Sequence, residues 1–343
     1  MSSKDTIEID IDGQVTKIRR FKLKWLKKNP TIAVIAKRGS GKSYVCRDLL
    51  RHLNKDHGIP GGVIISKTEK MNPFYSEFFA DSFIHSDFAE ILARIFDRQD
   101  VMLEKQKDKA KEGKKVDPRM YLLMDDCLAD RDKWIKDNHI STLFLNGRHH
   151  AITFILTMQF PLGIPPDFRS NFDYVFLLAE DQNTNVKRIY DHYAGIFPTY
   201  ECFRTIFPRI TEDYRSLVLI NTKGSAKFTD KVFWYKASTD PIPSMGCSQF
   251  TRFHKDNYDT EWRKKKRSID ISQIFSRRQN NPRNVKVRAP EKKKEVKRET
   301  RKEETEGYAE DYPKGYAKEY PRSYHPPPYA SKYPPAYPYR YRG

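Results

Sequence analysis

Nowhere in these 343 residues is there an apolar run approaching the roughly 20 residues that a membrane-crossing helix requires. The opening stretch, Met1 to Asp12, is polar and acidic and lacks the apolar core of a signal peptide. A cytosol-like compartment is the expectation. Cysteine is scarce: Cys46, Cys127, Cys202 and Cys247 stand far apart, with no C-x-x-C pair and no histidine at ligand spacing. That spacing argues against a disulfide framework or a zinc site and for reduced thiols. Hydrophobic residues make up only 38% of the chain and mean hydropathy is −0.79, which suggests an ordinary folded domain diluted by a polar segment. Acidic charge is short too. The 45 Asp+Glu face 64 Lys+Arg, a net charge of +19, and such an excess points to polyanionic partners, nucleic acid before an acidic membrane surface.

The deficits concentrate after Cys247. Residues 263–302 hold 17 basic residues against 4 acidic ones, and 307–343 contains no Leu, Ile or Val at all. In that last stretch the octet Gly307-Tyr308-Ala309-Glu310-Asp311-Tyr312-Pro313-Lys314 returns in altered form as Gly315 to Arg322, and ten of the 20 tyrosines fall there, interleaved with proline. Without aliphatic side chains no core offsets the entropy of ordering, so the expectation is a disordered tail with polyproline II character. The organisation read from composition is a folded domain over 1–247, a basic linker over 248–306 and a Tyr/Pro tail over 307–343. The linker suits salt-dependent contact with a phosphate backbone, and it suits a solvated spacer equally.

What the first part does have is alternation. A hairpin over 7–18, turning at Asp12-Gly13, opens the chain. Apolar strands are predicted at 31–36, 62–66, 121–124, 152–157, 174–178 and 217–220, with helical patterns between several of them, such as 43–53 and 87–105. Continuous apolar strands alternating with helices imply an α/β fold, a mainly parallel sheet flanked by helices on both faces.

The first of these strands runs into Ala36-Lys37-Arg38-Gly39-Ser40-Gly41-Lys42-Ser43 and then a helix. This is the phosphate-loop pattern with Ala in the first small position. Gly39, Ser40 and Gly41 bring successive N–H groups onto phosphate oxygens at a helix N-terminus. Lys42 suits the β/γ-phosphates of ATP, and the Ser43 hydroxyl suits Mg²⁺.

Tyr121-Leu122-Leu123-Met124-Asp125-Asp126 is an apolar strand ending in two carboxylates. Asp125 is placed to hold Mg²⁺ with Ser43, and Asp126 to orient or deprotonate the attacking water. Two acids that cap the turn after a strand would look the same. Downstream, the segment Asn146 to Pro161 has a strand that ends in the polar amide of Gln159, a candidate sensor of the γ-phosphate or a strand-end turn former. Arg148, just before that strand, is a candidate arginine finger acting across a subunit boundary, or an ordinary surface cation; Arg169 is its rival.

The segments AKRGSGKS, YLLMDDC, LNGRHHAITFILTMQFP and PPDFRSNFDYVF together resemble the genome-packaging ATPases of nucleocytoplasmic large DNA viruses, within the FtsK–HerA superfamily of DNA-pumping motors. The resemblance covers roughly residues 20–240. It implies a RecA-like P-loop NTPase core and a homo-oligomeric ring, pentamer or hexamer, that shares ATP sites. It also implies translocation of double-stranded DNA into a capsid, in the host cytoplasm or the virion. Carried over residue by residue, the P-loop residues fall on Lys42 and Ser43, the Walker B acids on Asp125 and Asp126, the polar sensor on Gln159 and the finger on Arg148. Asp126 departs from the Glu common in the superfamily. Capsid or membrane-associated viral proteins are the further partners that a packaging role implies.

Overall fold

The computed structural model describes residues 5–262 except 12, 223, 225 and 226. The basic stretch 263–302, the Tyr/Pro tail 307–343 and the turn residue Asp12 lie outside the described residues.

The chain opens with a hairpin, β1 (Thr6–Ile11) and β2 (Gln14–Arg20), then enters β3 (Thr31–Ile35) and helix α1 (Lys42–Lys55). There follow β4 (Gly62–Ser66), β5 (Ile84–His85), α2 (Ala89–Lys111) and β6 (Met120–Asp125). Next come the short helix α3 (Arg131–Lys136), α4 (Asn138–Asn146), β7 (Ile152–Met158), α5 (Pro166–Arg169) and β8 (Tyr174–Leu177). The chain continues through α6 (Asn183–His192), α7 (Tyr200–Thr211), β9 (Arg215–Ile220), α8 (Phe228–Lys231), β10 (Val232–Lys236) and α9 (Ser248–Asn257).

All ten strands join one sheet, in the order β1-β2-β10-β9-β8-β3-β7-β6-β4-β5. The central run β8-β3-β7-β6-β4 is parallel throughout, while β9 pairs antiparallel to both β8 and β10. One strand, β7, separates the strand that feeds the glycine loop from the strand that ends in the paired acids. This is the RecA-like strand order. Parallel strands place their C-terminal ends along one edge, so the glycine loop, Asp125-Asp126 and Gln159 are brought to that edge together.

The two faces are sorted by the period of two along each strand. On β3, Ile32 and Val34 face the side covered by α1, whose Val45, Cys46, Leu49, Leu50 and Leu53 are buried there. Ala33 and Ile35 face the other side, packed under α2, α4, α6 and α7. The same alternation sends Tyr121 and Leu123 of β6 to the α1 side and Leu122 and Met124 to the opposite one. Asp125 continues the first set, so parity alone aims its carboxylate at the start of α1. A slip of one residue would bury it on the wrong face.

After β10 the chain crosses the outside of α1. Asp48 on that helix accepts from the Ser238 N–H at 3.1 Å and from the Tyr235 hydroxyl, and Arg47 donates to the Ser238 carbonyl at 3.0 Å. Gly246 N–H then donates to Asn54 Oδ1 at 3.2 Å and Cys247 N–H to the Pro60 carbonyl at 2.8 Å. This strap delivers α9, which was not read from the sequence. Its Phe250 ring stacks on Phe83 at 3.9 Å and 18°. Ordered packing therefore runs past residue 247, where composition placed the end of the domain. Hydrophobic content falls there, but a few aromatic side chains suffice to dock a short helix.

Candidate nucleotide site

The loop between β3 and α1 is anchored to the sheet at its β3 end. Ala36 N–H donates to the Met158 carbonyl at 2.9 Å, and Leu178 N–H donates to the Ile35 carbonyl at 2.9 Å. Inside the loop the Ser40 hydroxyl turns back onto the Lys37 carbonyl at 2.7 Å. Gly41, with φ of 94°, caps α1 in the left-handed region that only glycine enters without strain. Its carbonyl starts the helix by accepting from Tyr44 and Val45 N–H at 3.1 and 3.2 Å. The first N–H groups of α1 have no partner within the helix and face out with the positive end of its dipole, the arrangement that suits phosphate.

Lys42 projects from the first turn of α1 to the two acids at the end of β6. Its ammonium lies 3.2 Å from Asp125 Oδ1 and pairs directly with Asp126 Oδ1. Burial works against the Lys42 charge, but Asp125 and then Asp126 outweigh it, so its pKa stands above the ordinary lysine value. Gln159, at the end of β7, donates its amide to Asp126 Oδ2 at 3.0 Å. Lys42, Asp125, Asp126 and Gln159 thus meet at one point. Asp126 is held there with φ of 52°, a left-handed backbone that few residue types tolerate, Asp and Asn among them. Such strain persists when several bonds over-determine it, and here Lys42, Gln159 and Thr157 all hold the residue.

Thr157 was not singled out in the sequence. It is fully buried on β7, where its hydroxyl donates to Asp125 Oδ1 at 2.6 Å and accepts from Asp126 N–H at 3.1 Å. One side chain orients both acids. A lone threonine in an apolar strand was the available signal, but Thr153 on the same strand is buried in the same way, so type and position did not separate them. Tyr75 was also missed. It is buried in the α1-side core, and burial first, then Cys46 and Asp125, raise its hydroxyl well above the ordinary tyrosine pKa. Glu69 anchors its turn by accepting from Phe74, Tyr75 and Ser76 N–H at 3.0, 3.2 and 2.9 Å.

Arg148 lies elsewhere. It precedes β7, whereas Gln159 follows that strand's last residue, so the seven residues of β7 separate Arg148 from the glycine-loop edge, a span of about 20 Å. Its guanidinium pairs with Asp173 at 3.3 Å and is 56% exposed. It does not reach the loop of its own chain. Arg169, at the end of α5, lies near Tyr193 and His192.

A sheet of this order, with a glycine loop capping a helix and two acids facing its lysine, defines a P-loop NTPase of the RecA-like class. No profile of a known protein family matches the chain. It is 44% identical over 246 residues to protein L437 of Acanthamoeba polyphaga mimivirus, covering 71% of this chain and 85% of that one. It is 35% identical over 236 residues to protein 075L of Invertebrate iridescent virus 6, covering 68% and 88%. The chain belongs to the family of large DNA virus proteins that these two represent. Among solved structures it is similar to the genome packaging NTPase B204 of Sulfolobus turreted icosahedral virus 2. There the identity is 14% and the TM-score 0.44, with 63% of this chain and 100% of that one covered.

Proposed function

We propose that this chain is an ATP-hydrolysing motor that drives double-stranded DNA in a homo-oligomeric ring, packaging a viral genome into its capsid. The observation that carries the proposal is the meeting of Lys42, Asp125, Asp126 and Gln159 at the mouth of the glycine loop. The kinship with large DNA virus proteins and the net charge of +19 support DNA as the cargo. The four segments that resemble viral packaging ATPases support it as well.

The donor set fits a magnesium-bound triphosphate: a hydroxyl at Ser43 in the first turn of α1, a nearly buried carboxylate at Asp125 and the Lys42 ammonium 3.2 Å from that carboxylate. Mg²⁺ would supply charge neutralisation between the phosphates. Gly39, Ser40 and Gly41 present backbone N–H groups to phosphate oxygens, and Lys42 turns from the acids to the β/γ end. That movement frees Asp126 to accept a proton from the attacking water. Gln159, released from Asp126 Oδ2, is then placed to read whether the γ-phosphate is present. Arg148 acts on the ATP of a neighbouring copy. Capsid or membrane-associated viral proteins are the further partners, and the virus factory and the virion are the sites of action.

The deciding experiment is ATPase activity of the purified protein with and without duplex DNA. DNA-stimulated phosphate release that Lys42→Ala abolishes is the expected result. Activity that survives Lys42→Ala rejects the site, and nucleotide binding without turnover makes the protein a nucleotide-gated scaffold instead.

A further inference from the structure

The phosphate end of a nucleotide in this loop has a direction. Asp126 and Gln159 stand on the β6–β7 side of the loop, so the γ-phosphate faces that way. The nucleoside half must then leave over the opposite side, above β8 and β9. That side carries an exposed aromatic ring. Tyr214 is 65% exposed, yet it lies against the loop itself: a Cβ built on Gly41 would sit 3.3 Å from Tyr214 Cδ1 and 3.9 Å from the Leu178 side chain.

The ring is held in place by an unusual backbone. Asp213 and Tyr214 are consecutive left-handed residues, with φ of 56° and 58°, and a bulky residue in that region is a genuine outlier. The turn is pinned from both flanks. Lys236 pairs with Asp213 at 2.5 Å, and Arg215 donates to the carbonyls of Glu212 and Arg209 at 2.9 and 3.2 Å. Beside it opens a cleft of about 350 Å³ lined by Lys37, Ala179, Glu180, Asp181, Arg209 and Glu212. Its rim offers carboxylates for sugar hydroxyls.

Resting on the phosphate-loop reading above, we infer that Tyr214 is the platform on which the nucleobase stacks, with the ribose at the adjoining cleft. A flat ring reads the π-face that every base presents rather than its hydrogen-bonding edge. Tyr214 therefore contributes affinity for the nucleoside while discriminating little between adenine and guanine.

The test is competition by ATP and by inorganic tripolyphosphate, each with Mg²⁺, against a fluorescent ATP analogue bound to the full chain. Tyr214→Asn removes the ring but suits the left-handed backbone. It is expected to weaken ATP about 10–100-fold while leaving tripolyphosphate within about twofold, and Tyr214→Trp is expected to restore ATP binding. Unchanged ATP affinity in Tyr214→Asn overturns the inference, as does equal weakening of ATP and tripolyphosphate, which would mean that the ring only shapes the loop. Lys42→Ala separates the two levels, because it should weaken both competitors. If it weakens neither, the phosphate-loop reading falls and this inference with it.

Discussion

The Thr157 hydroxyl donates to Asp125 Oδ1 at 2.6 Å from inside a fully buried strand. With its lone pair it also takes Asp126 N–H at 3.1 Å. One hydroxyl on β7 therefore couples the aim of Asp125 to the strained turn of the next residue. Thr157→Val keeps the volume and deletes both bonds. It leaves a buried carboxylate oxygen and a backbone N–H short of a partner, a cost of about 1–3 kcal/mol. The expected outcome is a fold that melts several degrees lower and a kcat reduced about 10–100-fold, with Thr157→Ser largely restoring both. Steady-state ATPase and thermal melts decide it. Wild-type turnover in Thr157→Val would mean that the two acids are held by Lys42 and Gln159 alone.

Asp126 separates chemistry from folding more cleanly. Its φ of 52° makes most substitutions there ambiguous, but Asn tolerates the left-handed region almost as well as Asp. Asp126→Asn should fold and bind nucleotide normally, and it loses the carboxylate proposed to accept the water's proton. Turnover is expected to fall about 10²–10⁴-fold, with ATP affinity unchanged or tighter, because Lys42 loses the partner it must leave to reach phosphate. Nucleotide titration beside single-turnover phosphate release measures the two separately. Undiminished phosphate release removes Asp126 from the chemistry.

Much of this site was legible in the sequence because it depends on local rules. A glycine loop after an apolar strand, and acids at the end of another, are read along the chain, and parallel strands bring such ends to one edge. The hairpin at 7–18 and strands β3, β4, β6, β7, β8 and β9 follow from apolar runs. The remainder depended on tertiary contact. Strand β10 is five residues long and gains its place only by pairing with β9 and β2. Thr157 became a site residue through what parity and the strand register set beside it, and Tyr75, in a short turn anchored by Glu69, through its burial in the α1-side core. Tyr214 gave no signal, since an exposed tyrosine before a strand is ordinary until its backbone angle is known.

The cysteines offer an independent check of the packing. Cys46, on α1, is fully buried, and burial, then Asp125, raises its thiol pKa. Cys127 is pushed up to about 12, again by burial first and Asp125 second. A raised thiol pKa means less thiolate at any working pH, so both should resist alkylation near pH 8 while Cys202 and Cys247, which are half-buried, react first. Mass spectrometry of the natively alkylated chain reads the order. Modification of Cys46 at the rate of Cys247 would contradict the placement of α1 against the sheet.

The extent of the folded domain can be tested at Phe250. Its ring stacks on Phe83 at 3.9 Å and meets Phe79 at 5.4 Å. Phe250→Ala should cost about 1–2 kcal/mol for a half-buried aromatic. A chain ending at residue 247 should melt at least as low as Phe250→Ala, and a chain ending at residue 262 should match the full protein. Equal melting of the 247 and 262 forms would return the boundary to where composition put it.

Arg148 sits at the sheet edge away from its own glycine loop, so any catalytic role it has must be played on another copy. Its pair joins a half-exposed guanidinium to a nearly buried Asp173 across a long 3.3 Å contact, and Asp173 keeps the Thr31 N–H at 2.9 Å without it. A pair with one exposed partner is worth about 1 kcal/mol at most. Arg148→Ala is therefore expected to leave the melting temperature almost unchanged while lowering ATPase activity about 10³-fold or more. Mixing decides the geometry. Arg148→Ala and Lys42→Ala are each expected to be inactive alone, but in the proposed ring a mixture would contain junctions where an intact Lys42 loop faces an intact Arg148. Activity that reappears on mixing, above the sum of the two separate proteins, is the signature of a finger supplied by the neighbour. If mixing restores nothing while the two variants demonstrably co-assemble, Arg148 is a surface cation held by Asp173, and Arg169 becomes the residue to test in the same way.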